Sequence, residues 1–237
     1  MPQINDQAFL LNAQDFEEQR SVITVFTKDH GVCRALIKRD KIQSGDLIQF
    51  TWKSRKVDGL GFAKCELIQS YAIHFLFSYF RLKAVHAILQ LISTAFAAHS
   101  ADMVLFYKLM NFMDRLAKQN MLDPKLYIQF ELLLLSRAGY GLSLDRCAVT
   151  KDKKNLYYLS PKSGCAISRD IGLAYHDKLF VLPQCFIHDV APDSPEEFAL
   201  CMTILDYFWN KCCALSDVSK ICARQDIWQL MQKLSVG

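Results

Sequence analysis

The sequence predicts an α+β protein in which a small closed barrel of five short strands precedes an all-α body that is interrupted once by a short β segment. Three observations carry this. Runs rich in β-branched and aromatic residues, separated by turn formers, fill the chain from Phe9 to Ile68. From about residue 75 the apolar residues recur at helical spacing instead. Between Tyr140 and Ile171 the pattern returns to short strands and turns before the last helices. The chain has 237 residues, 51% of them hydrophobic, so it can bury a substantial core and a disordered class is excluded.

Taken in order, Phe9 to Asn12 is read as a first strand, followed by a polar lead-in, Gln14 to Arg20. Ser21 to Thr27 forms the second strand and Asp29-His30-Gly31 the turn after it, because these residues tolerate positive φ. In the third strand, Val32 to Lys38, the period of two sets Val32, Arg34, Leu36 and Lys38 on one face and Cys33, Ala35 and Ile37 on the other. Ser44-Gly45-Asp46 turns the chain into the fourth strand, Leu47 to Lys53. There Ile48, Phe50 and Trp52 share the core face, while Gln49, Thr51 and Lys53 point away. Ser54 to Gly59 is a hairpin turning at Asp58-Gly59, and Leu60 to Ile68 is the fifth strand. Strands this short, with no helices between most of them, fit a small closed barrel.

The uncharged run from Ala84 to Ala101 reaches the length of a membrane span, but His86, Gln90, Ser93, Thr94 and His99 within it favour a buried bundle helix. Leu82, Val85, Leu89, Ile92 and Phe96 give that helix its stripe, and Leu105, Leu109, Phe112 and Leu116 give the next. Asp123-Pro124 caps a third helix with Leu126, Phe130, Leu133 and Leu134 inward, and Gly139 ends it. Ser194-Pro-Glu-Glu197 is a capping box opening a helix with Phe198, Cys201, Leu205, Phe208 and Cys212 on one face. A final helix is expected from about Asp217, with Ile221, Ile227, Leu230 and Leu234 buried. The expected domains are 1–75 for the barrel and 76–237 for the body, with the β insertion at about 140–175.

Charge is unevenly spread. The net charge is only +4, but from Arg20 to Lys64 the basic residues Arg20, Lys28, Arg34, Lys38, Arg39, Lys41, Lys53, Arg55, Lys56 and Lys64 face only Asp29, Asp40, Asp46 and Asp58. An anionic partner for the barrel follows as an expectation, against the alternative of a merely solvated basic surface. The nine cysteines, with Cys212 and Cys213 adjacent and no signal-peptide pattern at the first residues, are read as reduced thiols of a cytoplasmic protein.

Three chemistries compete for the functional site. A metal site would gather Cys147, Cys165 and His176, but neither cysteine has a partner three residues on, since Thr150 and Ser168 stand there; no metal and no other cofactor is expected. A nucleophilic Cys33 beside His30 falls on the strand's core face, and no glycine-rich phosphate loop or paired carboxylates are present, so no catalytic residues are assigned and an enzyme is not expected. Nucleic-acid binding fits better: Arg34 and Lys38 on one face, Arg39 and Lys41 in the next loop, and Lys53, Arg55 and Lys56 at a hairpin form a cationic surface on a barrel. Phe26, Phe50 and Trp52 are assigned to the core rather than to base stacking, which points to sequence-independent binding of the phosphate backbone.

The chain resembles the bacterial RecO family of recombination mediators over essentially its whole length. The resemblance rests on Val22 to Thr27 with His30-Gly31, Ser44 to Trp52, Gly61 with Cys65-Glu66-Leu67, Gly139 to Thr150, and Ser160 to Gly164. It implies an OB-type (oligonucleotide-binding) barrel, a helical body and a zinc-ribbon-like insertion. Of the family's four zinc-ligand positions only Cys147 is kept; Thr150, Ser168 and Ile171 occupy the others, and Cys165 sits at a glycine position. The ribbon is therefore expected without its metal. The implied role is DNA repair and recombination: binding single- and double-stranded DNA, annealing strands coated by single-stranded DNA-binding protein, and acting with RecR to load RecA, in the cytoplasm and in association with the nucleoid. The acidic, hydrophobic tail of single-stranded DNA-binding protein would dock on the helical body near Lys83, Lys108 or Arg115. The alternative is a protein-interaction adaptor whose barrel engages a protein without binding DNA.

Overall fold

The computed structural model describes residues 3–54, 60–213 and 223–227. Packing divides the chain into two compact units, Met1–Leu122 and Asp123–Gly237. The change from strands to helices falls after residue 75, but the first two helices belong with the barrel in the first unit.

In that unit β1 (Gln3–Phe16), β2 (Arg20–Thr27), β3 (Gly31–Lys38), β4 (Leu47–Lys53) and β5 (Gly61–Gln69) close in the order β1-β2-β3-β5-β4. All neighbours are antiparallel except β3 and β5. The first strand departs from expectation, running 14 residues instead of covering Phe9 to Asn12. Its early inward positions are Ile4, Asp6 and Ala8, and the buried carboxylate of Asp6 disguises the alternation. Asp6 accepts the backbone N–H of Asp29 at 2.7 Å and lies 3.0 Å from Nδ1 of His30, which explains how it is tolerated inside. The supposed polar lead-in also pairs, as far as Phe16 opposite Arg20, after a bulge between Leu10 and Asn12.

The barrel interior is filled as its pleat dictates, by Ile23, Val25, Cys33, Ala35, Ile37, Ile48, Phe50 and Trp52 together with Ile4, Ala8 and Leu10. Gly61 sits where β5 enters between β3 and β4. A Cβ there would lie 2.3 Å from the carbonyl oxygen of Lys53 and 2.5 Å from Nε1 of Trp52, so closure requires glycine. At one end of β1 and β2 the outer face is covered: Phe9 packs on Tyr71 and Phe106, with ring centroids 6.1 and 5.2 Å apart, and Phe26 packs on Phe106 at 6.1 Å. Phe106 belongs to α2 (Met103–Lys118), whose Leu105, Leu109, Phe112 and Leu116 are buried as the spacing predicts. The uncharged run enters α1 (Tyr79–Ala95), where Ala84, Val85, Ile88, Leu89, Leu91 and Ile92 are buried. No helix among the described residues is long and apolar enough to cross a membrane. Buried Asp46 joins the β3–β4 loop to the segment entering α1, accepting N–H groups of Gln43 (2.9 Å) and Tyr71 (3.2 Å) and the hydroxyl of Ser70 (3.0 Å).

The second unit opens with α3 (Pro124–Leu135). Asp123 caps it by accepting the N–H of Lys125 at 3.0 Å and of Leu126 at 3.3 Å, and Gly139 at φ +87° ends the turn that follows. Next come β6 (Leu156–Leu159), β7 (Ala166–Ser168), α4 (Arg169–Gly172), β8 (Phe180–Val181), α5 (Gln184–Ile187) and α6 (Pro195–Cys212). The insertion is a three-stranded sheet in the order β7-β6-β8, so it extends past residue 175 to Val181. At α6 the capping box forms by half: Ser194 accepts the N–H of Glu197 at 3.1 Å. The Glu197 carboxylate, however, takes the N–H groups of Asp193 and Gln184, each at 2.8 Å. The unit's centre holds a buried polar cluster, in which Glu131 receives Nε of Arg224 at 3.0 Å and Nε1 of Trp209 at 3.1 Å. Of the expected last helix, residues 223–227 are helical and Ile227 is fully buried; Asp217, Ile221, Leu230 and Leu234 lie outside the described residues.

Candidate nucleic-acid interface

While α2 covers Phe9 and Phe26, the opposite half of the same strands keeps its outer face bare. Strand register arranges that face in rows. Asn12, Thr24 and Arg34 lie side by side across β1, β2 and β3. The next row runs Gln14, Val22, Leu36, Phe62 and Lys53, crossing to β5 through the parallel pair Leu36 with Phe62 and to β4 through Phe62 with Lys53. The last row is Phe16, Arg20 and Lys38.

Arg34 and Lys38 are exposed and share this face, and Lys53 joins them across β5. No carboxylate pairs with any of the three among the described residues. Arg39 and Lys41 are also exposed, beyond the end of β3; Arg39 is held by Asp15 at 2.7 Å, so part of its charge is already answered. Arg55 and Lys56, with the expected Asp58-Gly59 turn, lie outside the described residues. Lys64, also on β5, is tied to Glu66 at 2.6 Å, and that hydrogen bond holds its ammonium above the ordinary lysine value and the Glu66 carboxyl below its own.

Beside Arg34 the face deepens into an open groove of about 560 Å³. Asn12, Gln14, Val22 and Thr24 form one wall, and Phe96, Ala98 and His99, just past α1, form another. The segment after α1 is anchored there because His99 N–H donates to the Val32 carbonyl at 3.0 Å. One cation of the expected set therefore lines a concave surface.

Phe62, Phe16 and Arg20 are absent from the site expected on sequence grounds, and they complete it. Phe62 is 59% exposed and Phe16 45%, whereas Phe26, Phe50 and Trp52 are buried as expected. The Arg20 guanidinium lies 5.6 Å from the Phe62 ring centroid, a cation–π contact. The signal for Phe62 is present in the sequence: β5 alternates Gly61, Ala63 and Cys65 inward, which puts Phe62 outward.

The residues of the other candidate chemistries are dispersed. Cys33 is buried, and burial, with the nearby Asp6 carboxylate adding to it, pushes its thiol up to about 11, the reverse of what a nucleophile needs. Cys147 is buried against the hydroxyl of Ser168 at 3.5 Å and accepts that residue's N–H at 3.3 Å. At the four positions that the resemblance marks for zinc ligands, Cys147 and Ser168 thus bond to each other, and one thiol with two hydroxyl residues and Ile171 does not fit a tetrahedral zinc. Exposed His176 pairs with Asp177 at 2.9 Å, and no group of three or more metal-binding side chains occurs among the described residues.

Comparison with known proteins agrees with this architecture. The family model described as recombination protein O N terminal matches residues 1–71, and recombination protein O C terminal matches residues 76–210. A DNA repair protein RecO of Rickettsia canadensis (strain McKiel) is 37% identical over 214 residues, covering 88% of each chain. A DNA repair protein RecO of Rickettsia felis is 35% identical, covering 88% of this chain and 90% of its own. With both family models in register with the barrel and the body that follows it, the chain belongs to the RecO family of DNA repair proteins.

Proposed function

We propose that this protein is a non-enzymatic mediator of homologous recombination. It binds single- and double-stranded DNA on the barrel, anneals complementary strands, and helps RecR load RecA. The observation that carries this reading is the bare outer face on which Arg34, Lys38 and Lys53 stand exposed, continuous with the groove beside Arg34, in a chain of a DNA repair family. Phosphate neutralisation on two strands at once removes the repulsion that slows their pairing, so a cationic face is the physical requirement for annealing.

Partner docking has its own support in the first unit. Ile73, Leu76, Phe77 and Tyr79 are exposed in one short segment, Phe77 almost completely, and Lys83 lies 5.1 Å over the Tyr79 ring. An acidic, hydrophobic peptide such as the tail of single-stranded DNA-binding protein would find apolar contacts and a cation there. The same patch favours, as a second reading, an adaptor that works through protein contacts alone.

The deciding experiment is annealing of strands coated by single-stranded DNA-binding protein, comparing wild type with the folded Arg34→Glu/Lys38→Glu/Lys53→Glu variant. The mediator reading expects the variant to lose annealing and DNA affinity at low salt. Unchanged affinity would remove the barrel face as the DNA site, and a wild type that binds only the protein partners would establish the adaptor.

A further inference from the structure

We propose that Phe62 is a base-stacking subsite, so that the barrel face engages unpaired nucleobases as well as phosphates and discriminates single strands from duplex. The inference rests on the nucleic-acid reading above and names the substrate class of that same face.

A single exposed aromatic residue needs no explanation on a protein surface. Phe62 differs from that in its surroundings. The strand register places Lys53 directly beside it on β4 and Leu36 on β3, and Arg20 lies against its ring at 5.6 Å. Arg20 is itself paired across the sheet with Lys38 and with Phe16, a second exposed ring. Cations therefore stand on two sides of the aromatic surface: Lys53 on the neighbouring strand, about 5 Å across, and Arg20 reaching the ring from β2, where Glu17 at 3.3 Å answers part of its charge. This suits phosphates on either side of a base resting on the ring. Charge complementarity selects a polyanion, and the exposed ring selects a polyanion with flat apolar faces. A duplex buries its base faces in its own stack, so only unpaired bases can use the ring. Every base has such a face, so the subsite adds affinity without sequence preference.

The test uses the full-length protein and three probes of equal length and charge: a mixed-sequence single strand, the same backbone carrying abasic sugars, and a poly-glutamate peptide. Wild type is expected to bind the base-bearing strand more tightly than the abasic one. Phe62→Ala is expected to shrink that preference by about fivefold to 150-fold, the range for losing one stacked base, with affinity for the abasic strand unchanged. Phe62→Trp should restore the preference and show fluorescence quenching, over the wild-type background, only with the base-bearing strand. If Phe62→Ala and Phe62→Trp both keep the wild-type preference, stacking on Phe62 is wrong while backbone binding stands. Wild type without salt-dependent affinity for either strand would overturn this inference together with the reading beneath it. Poly-glutamate binding as tight as the base-bearing strand, with the same dependence on Phe62, would mean that the occupant is an acidic protein segment and would also overturn it.

Discussion

At the scale of single residues, the barrel is held to its neighbours by positions that admit one side chain only. Gly31 opens β3 at φ +70°, and a Cβ added there would lie 2.2 Å from the carbonyl oxygen of Ser100, in the segment that follows α1. Neither a side chain nor a rotamer can move out of that conflict, because both partners are backbone. Gly31→Ala is therefore predicted to cost about 2–3 kcal/mol in urea unfolding, adding the steric shift to the left-handed penalty. Gly139, at φ +87° with open space for 4 Å around an added Cβ, isolates the backbone penalty: Gly139→Ala should cost only about 1 kcal/mol. Equal losses at the two sites would mean that residues 98–100 do not pack on β3. The buried thiol of Cys33 makes a second residue-scale prediction. Burial raises it to about 11 from an ordinary value of 9.0, so the folded state favours the neutral form. Its contribution is complete below about pH 9 and is lost as pH rises through the folded value. Unfolding free energy should fall between pH 9 and pH 11, and the fall should be shallower in Cys33→Ala. An identical slope in the variant would assign the alkaline loss to other groups.

At the scale of elements, the second unit turns on a charge that helical periodicity alone does not reveal. Glu131 of α3 is fully buried, and its carboxylate meets Arg224 and the indole N–H of Trp209 on α6. The Arg224 guanidinium also pairs with Asp206 of α6, so removing Glu131 takes away its fully buried partner and the acceptor of the Trp209 indole N–H while one carboxylate remains. With Asp206 still pairing Arg224, Glu131→Ala is predicted to cost about 2–3 kcal/mol in chemical denaturation, and Glu131→Met with Arg224→Met should recover much of it. A loss below about 1 kcal/mol for the single variant would show that Asp206 alone satisfies Arg224. The stripe of α2 is legible in the sequence because Leu and Phe at the helical period have one physical reading, and those of α3 and α6 are legible except at Leu133 and Cys212, which are only half-buried. The Asp123 and Ser194 caps are legible because their chemistry is local. Glu131 is not legible, since its partner lies 93 residues away. The full span of β1 is hidden in the same way by buried Asp6, whose partners stand on the β2–β3 turn. In the candidate site, Arg34 and Lys38 follow from a period of two within one strand. Their continuity with Lys53 through Phe62 depends on β5 pairing in parallel with β3, a non-consecutive neighbour that alternation does not specify.

For the whole molecule, a net charge of +4 is too small to make a nucleic-acid ligand out of the chain as such, so any strong DNA affinity has to come from where the charge is placed. Two groups of exposed cations allow a direct comparison: Arg34, Lys38 and Lys53 on the barrel, and Lys151, Lys153 and Lys154 in the turn before β6. Each group removes the same formal charge when changed to alanine, so a diffuse field would respond equally to both. Direct phosphate contacts respond only where the strand lies. The Arg34→Ala/Lys38→Ala/Lys53→Ala variant is predicted to flatten the log–log dependence of single-strand affinity on salt by about 2, from three lost contacts at about 0.7 each. The Lys151→Ala/Lys153→Ala/Lys154→Ala variant should keep the wild-type slope. Titrations with one oligonucleotide across a salt series separate the cases, and equal flattening by both variants would show that binding follows total charge rather than the barrel face.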